Sequence, residues 1–528
     1  MSFNMGTSLN NKNSHLVVIS VCYLLAHGLG LLNSGIFWDD WLWHSSTAAY
    51  VTKALTELGS PWGAVYFNYM VTLEHSILVF RTITFFSFYL SALALYSILK
   101  TIREISSDER MLITLFFAIF PCNLLRIATC ISWYGICYFM FFLAFWLLKR
   151  HLVTGGIHYR LLALTTFFIS FTTNSLLVFY ILPLLYILYM RKLFSVQFRS
   201  LLAMIPRYLD FLLLPIVFWM IKKLFFPSYG FYQGYNSLSI GNMLLSPITA
   251  VAAFYQSLFP VMDSVLTFWP YPTSMILLIL FIFWRMKKID VQTDSNKQLV
   301  YSIVGLFCFY IAIFPYLTVG HIPSVSGFEN RHQLLIPLGV SILLVYTVQF
   351  ITCRFSWIVN KNQVIRMVYS IMVIQFLFFN IKSYVLIQGA WYKQLAIISQ
   401  IQRNDIIRNH TTFLFQDHIP SLSAWIGRYG YLDYAAFMKK AFNEETRFGM
   451  TESEYHGKKD KRVANLMNKN WLLHDYQPKD PEYLVHIEAG ASEANTKQIF
   501  QLLKLELTNK ARFEQDVSRL IRLRTEKI

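Results

Sequence analysis

Two carboxylates stand side by side at Asp39 and Asp40, inside the run Gly35-Ile36-Phe37-Trp38-Asp39-Asp40-Trp41-Leu42-Trp43-His44. Like charges in contact raise each other's pKa, and aromatic surroundings strip away their water. Two kinds of chemistry would offset that cost. A positioned carboxylate takes a proton as a general base, and a pair of them can hold a divalent cation such as Mg2+ or Mn2+ through oxygen. The plainer reading is a membrane-surface belt, where tryptophans gather anyway and acids beside them cost little. On this stretch alone the two readings weigh evenly.

A second group with chemical potential lies far along the chain: Gly320-His321-Ile322-Pro323, then Phe328-Glu329-Asn330-Arg331-His332-Gln333, directly before an apolar segment. The planar fork of Arg331 matches the oxygens of a phosphate, His332 stands beside it, and a helix N-terminus there would add partial positive charge. An Arg/His anchor at the lipid headgroups is the competing reading. Arg126, and His75 with Arg81, are further places where a phosphate could be held. An arginine inside a span costs about 2.5–3.5 kcal/mol on insertion scales. Arg81 and Arg126 are therefore expected to face a cavity or a partner, and Glu74 is one possible partner for Arg81. The aromatic, glycine-rich loop 225–243, with Tyr232 in it, could stack on a sugar ring, although an interfacial belt explains it as well.

These residues need elements to position them, and the composition says what kind. Of 528 residues, 55% are hydrophobic, 17% aromatic and 14% charged, against about 25% charged in soluble domains. The acids are unevenly spread, 12 of the 29 in residues 1–385 and 17 in 386–528. The chain thus divides into an apolar membrane body, 1–385, and a soluble C-terminal domain, 386–528. A spanning helix needs about 20 mostly apolar residues. On that measure roughly eleven spans are expected, near 15–34, 78–99, 111–130, 133–149, 160–175, 176–190, 207–224, 270–286, 299–319, 333–352 and 364–384. Residues 244–268 are apolar too, but Pro247, Pro260 and Asp263 favour an interfacial or re-entrant segment.

The net charge of +17 is a nucleic-acid signature only when the basic residues form a patch. Here they sit in short clusters between apolar runs: Lys100, Arg103 and Arg110; Lys149 and Arg150; Arg191, Lys192 and Arg199; Arg285, Lys287 and Lys288; Arg354, Lys361 and Arg366. That is the positive-inside pattern. It places the N-terminus in the cytoplasm, loop 35–77 and the C-terminal domain outside, and nucleic acid off the list of partners. Six cysteines without a CxxC pair give no zinc signature; Cys130 and Cys137 flank an outer hairpin, though buried apolar cysteines are the favoured reading. In the soluble part, 412–415 and 483–487 read as strands, 444–462 as a loop and 496–523 as an amphipathic helix. No P-loop, GxSxG or GxGxxG stands there.

An acidic pair just after the first span, in a long outer loop, resembles the first-loop signature of the GT-C superfamily of polyprenyl-phosphate-sugar glycosyltransferases. Trp38-Asp39-Asp40-Trp41 is similar to the Asp-Asp form of that signature. The resemblance extends to the inside N-terminus, the many spans and a small C-terminal extracytoplasmic α/β or α+β domain. It implies an α-helical polytopic membrane enzyme that moves a sugar from a polyprenyl-phosphate donor to a glycan, lipid or protein acceptor. Asp39 would be the base, with Asp40 its helper or, with Asp39, a metal ligand. Arg331, His332, Arg126 and His75 would serve the donor phosphate, and Trp38, Trp41, Tyr232 and Glu329 would line the substrate. A bacterial inner membrane, with a periplasmic C-terminus, is the expected setting. A transporter or flippase of lipid-linked sugars is one alternative and an O-antigen polymerase or ligase the other. The first should show paired ionisable residues at the bilayer midplane and inverted repeats; the second should carry its large outer loop between late spans.

Overall fold

The computed structural model describes residues 5–192, 205–234, 237–267, 295–355, 358–456, 476–477, 479–490 and 495–528. Among these, seven helices are long and apolar enough to cross a membrane: Ser14–Leu32, Ser76–Leu99, Ser132–Thr154, Ile240–Val261, Ser295–Leu317, Ile336–Arg354 and Lys361–Gln402. The expected count of about eleven is not confirmed among the described residues. Helices Ser107–Ile119, Ile157–Ser170 and Leu209–Phe225 have 13, 14 and 17 residues, and the apolar run 175–190 is divided into Ser175–Phe179 and Ile181–Met190. At 1.5 Å per residue the longest of these reaches roughly 26 Å, short of about 30 Å of hydrocarbon. Ser107–Ile119 shows how local chemistry sets the bounds. Ser106 and Glu109 cap its start reciprocally, at 3.2 and 2.7 Å, and Pro121 bars helical geometry at Phe120. The run 270–286 lies outside the described residues.

The stretch read as re-entrant is instead one helix, Ile240–Thr267, with Pro247 and Pro260 inside it. Proline removes a donor from the helix ladder and kinks it without having to end it. Pro247 orphans the carbonyl of Met243, and the Ser246 hydroxyl supplies the missing bond at 2.8 Å. Elsewhere in the body close packing relies on glycine. Helices Ser295–Leu317 and Ile336–Arg354 cross so tightly that a Cβ on Gly339 would stand 2.3 Å from the Phe309 nitrogen, and one on Gly305 2.5 Å from that of Leu343. Small residues at membrane helix crossings serve this purpose.

The division at 385/386 falls inside an unbroken helix, Lys361–Gln402, of 42 residues. It is roughly 63 Å long, twice the hydrocarbon thickness. Its last turns are the bed of a four-stranded sheet: β1 (Thr412–Asp417), β2 (Phe448–Thr451), β3 (Tyr483–Ala489) and β4 (Ile521–Lys527), ordered β2-β1-β3-β4. β1 runs parallel to both neighbours, while β4 is an antiparallel edge on β3. The run Phe413-Leu414-Phe415 is buried throughout, as a central parallel strand must be. The fold of the tail is therefore α/β, with helix Tyr431–Phe442 between β1 and β2.

Two expectations for this domain need correcting. The loop reading of 444–462 misses β2 and the short helix Glu452–His456; residues 457–462 lie outside the described ones. The single helix expected over 496–523 is two, Thr496–Thr508 and Lys510–Ser518, separated at Asn509, whose side chain accepts from Arg512 N at 3.1 Å. It also ends early, because Ile521-Arg522-Leu523-Arg524-Thr525 alternates with period 2 and pairs as β4.

The domain is held to the long helix by polar contacts in a dry setting. Lys393, with no exposed side-chain surface, gives its Nζ to Asp417 Oδ2 at 2.6 Å, Ile419 O at 2.8 Å and Ser423 Oγ at 3.2 Å. Glu506 Oε2 accepts from Tyr392 at 2.7 Å and Gln388 at 3.2 Å. Removing one member of a buried pair costs about 3–5 kcal/mol. Lys393→Met should therefore loosen the sheet domain by that order, seen as faster proteolysis of residues 403–528 in the detergent-solubilised chain. Asp417→Leu added to it should restore much of the loss.

Candidate functional site

The chain leaves helix Met5–His27 through a 3-10 turn, Gly28–Leu32, enters the first loop and reverses at Trp38. Trp38 has φ +51°, the left-handed region that bulky residues avoid. Its conformation is fixed from two sides. The indole Nε1 donates to Ile426 O at 2.7 Å, and the ring packs on Phe328 at 5.5 Å. The reversal places Asp39 at the N-cap of helix Asp40–Ser45 and turns Asp40 inward.

The two acids consequently differ in kind. Asp40 is fully buried, and its oxygens accept from Cys130 N at 2.7 Å and Thr129 N at 2.9 Å, with Phe37 N at 3.5 Å. Its charge opposes that of Arg81, which donates to Gly35 O at 2.6 Å and Ile127 O at 3.4 Å. Glu74, one of the candidate partners for Arg81, is exposed at the other end of the loop. Asp40 thus sews the first loop to the segment after helix Asn123–Ile127. Both Asp40 oxygens already accept backbone N–H groups, so a cation shared with Asp39 would be left only the remaining lone pairs. Asp39, by contrast, caps nothing: its carboxylate makes no hydrogen bond among the described residues. Burial pushes its pKa above the usual carboxylate range; Arg331 pulls it back in part, and Asp40 adds to the rise.

Arg331 belongs to the 3-10 helix Phe328–Gln333. Its guanidinium lies 3.9 Å over the Phe328 ring, and its Nε donates to His332 Nε2 at 3.1 Å. His332 Nδ1 meets Glu329 Oε2 at 2.7 Å, and His321 Nδ1 lies 3.5 Å from the same oxygen. Burial would raise the Glu329 pKa, but these two histidines overcome it and hold the carboxylate well below its ordinary range. The Asn330 side chain accepts from Leu125 N at 3.1 Å, tying this loop to the segment that Asp40 also grips.

The sheet domain completes the surroundings. The charge of Asp39 acts on the phenols of Tyr50 and Tyr431 and on the carboxyl of Asp433, and Tyr232 acts on the same two phenols. Asp433, near the start of helix Tyr431–Phe442, is pushed up to about 7 by burial, against the pull of the Gly430 N–H that it accepts at 3.0 Å; Glu454 and Asp39 add to the rise. Asp39, Arg331, Trp38 and Tyr232 therefore share one region with Tyr431 and Asp433, which were not singled out from the sequence. A glycine followed three residues later by Asp433 reads as a helix start, and nothing in that signal announces a site.

Other expected members lie elsewhere. Trp41 is 2% exposed, edge-on to Phe437 at 5.4 Å, with Trp391 at 6.5 Å and Lys440 over both indoles. It anchors the sheet domain and presents no face to a substrate. Arg126 is buried, donating to the Tyr23 hydroxyl at 2.9 Å with its guanidinium 4.0 Å over the Phe88 ring, so its charge is walled in by aromatics. His75 is exposed before helix Ser76–Leu99 and joins none of the contacts above among the described residues. Cys130 and Cys137 are free thiols.

The contrast between the two acids is measurable. Asp40→Asn would turn an amide N–H against backbone donors, so the variant should lose about 1–3 kcal/mol, read by thermal unfolding in detergent. Asp39 has its pKa raised in the folded state, so its ionisation above the unfolded value opposes folding. Asp39→Asn should leave the melting temperature unchanged or raised at pH 7. Compared with known families and curated proteins, the chain matches no family model and no curated relative.

Proposed function

We propose that this chain is a membrane glycosyltransferase taking its sugar from a polyprenyl-phosphate donor, with Asp39 as general base. The observation that carries the reading is the division of labour in the acidic pair. One carboxylate is consumed by structure, while its neighbour is left without hydrogen bonds, desolvated, and within the field of a guanidinium. The likeness of Trp38-Asp39-Asp40-Trp41 to the GT-C first-loop signature points the same way, as does an outer domain seated on the membrane body.

In the proposed reaction an acceptor hydroxyl gives its proton to Asp39 while its oxygen attacks the anomeric carbon. The bond from that carbon to the phosphate oxygen breaks, and its electron pair leaves with the lipid phosphate. Arg331 binds that phosphate through its fork. Tyr232 and Tyr431 offer ring faces to sugar, and the acceptor, a glycan, lipid or protein, enters from the side of the sheet domain. No step is routed through a metal at the acidic pair. The positive-inside pattern of the loops supports an outer-face site, with a cytoplasmic N-terminus and the C-terminus in a bacterial periplasm. Reporter fusions at Lys288 and Ile528 should then report opposite sides of the membrane.

General-base catalysis contributes about 10²–10⁴-fold, or roughly 3–5 kcal/mol of barrier at 1.36 kcal/mol per decade. Asp39→Asn should lose that much turnover of a labelled lipid-linked sugar while binding donor and folding normally. The base must be deprotonated, so the rate should fall on the acid side through a pKa above the ordinary carboxylate range. Arg331→Gln removes the cation that lowers this pKa, so the acid limb should move to higher pH. Arg331→Lys keeps the charge and should leave the limb in place while weakening donor binding. Wild-type turnover in Asp39→Asn would end this mechanism.

A further inference from the structure

We infer that His321, Glu329 and His332 form a binding site for one divalent cation of the zinc class, apart from the acidic pair. The reason begins with backbone geometry. In a 3-10 helix the side chains at i and i+3 eclipse, and Glu329 and His332 have that spacing within Phe328–Gln333. His321 follows Gly320, whose φ of +87° returns the chain so that His321 N bonds Tyr316 O at 2.9 Å. The two imidazoles then lie with centroids 4.7 Å apart and planes 36° from parallel.

The three residues each offer one ligand atom, and these atoms lie within 4.8 Å of one another; both Nδ1 atoms face Glu329 Oε2. A tetrahedral ion about 2.1 Å from each ligand separates them by roughly 3.4 Å. The distance from His321 to Glu329 is 3.5 Å already, and that from His332 to Glu329 is 2.7 Å, where a proton now sits between them. Replacing that proton by a metal needs a small opening of the pair and a small closing of the rings. Two imidazole nitrogens and one carboxylate oxygen suit zinc, with a fourth position left for water or an anion. They do not suit magnesium, which prefers an all-oxygen octahedron.

A consequence distinguishes this site from a cluster of hydrogen bonds. With its Nδ1 proton on the Glu329 side, His332 has a bare Nε2, which accepts from Arg331 Nε at 3.1 Å. A neutral imidazole that ligates metal through Nδ1 carries its remaining proton on Nε2. Two donors then face each other, and the bond from Arg331 is lost. Cation binding and the contact of Arg331 with His332 exclude one another. Loading the site therefore releases Arg331 from His332. Arg331→Ala, which removes a competitor and no ligand, should bind the cation at least as well as the wild type.

The test uses the full-length, tag-free protein in detergent, stripped with chelator and titrated with Zn2+ and, separately, Co2+. The inference expects one ion per chain, an intense visible Co2+ band typical of a tetrahedral site, and no displacement by millimolar Mg2+. His321→Ala and His332→Ala should each bind at least tenfold more weakly and lose the band. Arg331→Ala and the surface control His158→Ala should keep both. Each variant's melting temperature without metal checks its fold, and Glu329→Gln, closest in shape, serves if a histidine variant unfolds. Stoichiometric binding that survives the double histidine variant, or no binding by the wild type at micromolar Zn2+, overturns the inference. These are binding readouts, so they stand or fall independently of any glycosyl transfer.

Discussion

One rigid rod sets the distances in this molecule. Helix Lys361–Gln402 is about twice as long as the membrane is thick, and it carries contacts to the membrane body, the start of the first loop and the sheet domain. In its membrane half Asn380 donates to Ile119 O at 2.8 Å, and Tyr384 meets His27 at 3.1 Å. Further out, Gln388 accepts from Asn33 at 2.6 Å, and Trp391 donates to Ser34 at 3.1 Å, so the start of the first loop is fastened to the same shaft. Beyond that, Lys393 and Gln400 hold the sheet domain, the latter through Ser518 O at 2.8 Å. A flexible joint between body and tail would let Tyr431 and Asp433 drift from Asp39. A continuous helix, with a bonded backbone at every turn, does not.

Within that frame, adjacent residues acquire opposite characters. Asp39 and Asp40 have the same side chain and are one residue apart, yet the turn at Trp38 sends them to different environments. The inward one is held by backbone N–H groups. The outward one meets apolar surface and a neighbouring anion, which oppose it. Pairs of carboxyls separated in this way are how a single fold provides both a fixture and a reactive group.

The residue types were legible in the sequence, whereas their partners were not. The acidic doublet, Arg331 and the Glu329/His332 spacing are visible in a single line of letters. That Asp40 would be satisfied by amides at 129 and 130 is a tertiary fact, as is the approach of Tyr431 and Asp433, and no local pattern encodes either. Helix bounds were less legible than apolar content, because a hydropathy window does not measure helix continuity: Pro121 closes one helix early, while Ser246 lets another continue past Pro247. The first residues of β4, 521–523, join the expected helix because Arg and Leu are good helix formers. Its strict alternation was the better guide, and pairing with β3 decided it. The strands β1 and β3, with apolar β-prone runs, were read correctly for the same physical reason that buries them.

The strand order has a consequence for how the protein is made. β1 is the strand at the heart of the sheet, and both strands that flank it come later in the chain. A ribosome adding about 5–20 residues per second needs several seconds for the roughly 65 residues from β1 to β3. During that interval Phe413, Leu414 and Phe415 are outside the membrane with two open backbone edges, the kind of surface that pairs with other chains. Cover at that stage comes from parts already made: the Lys361–Gln402 helix, whose Lys393 binds Asp417 at the end of β1, and the first loop, whose Phe37, Trp41 and Leu42 belong to the same buried clusters as these residues. Besides fixing the mature geometry, the shaft thus shields the nascent strand, and translation that outruns this docking would produce aggregates.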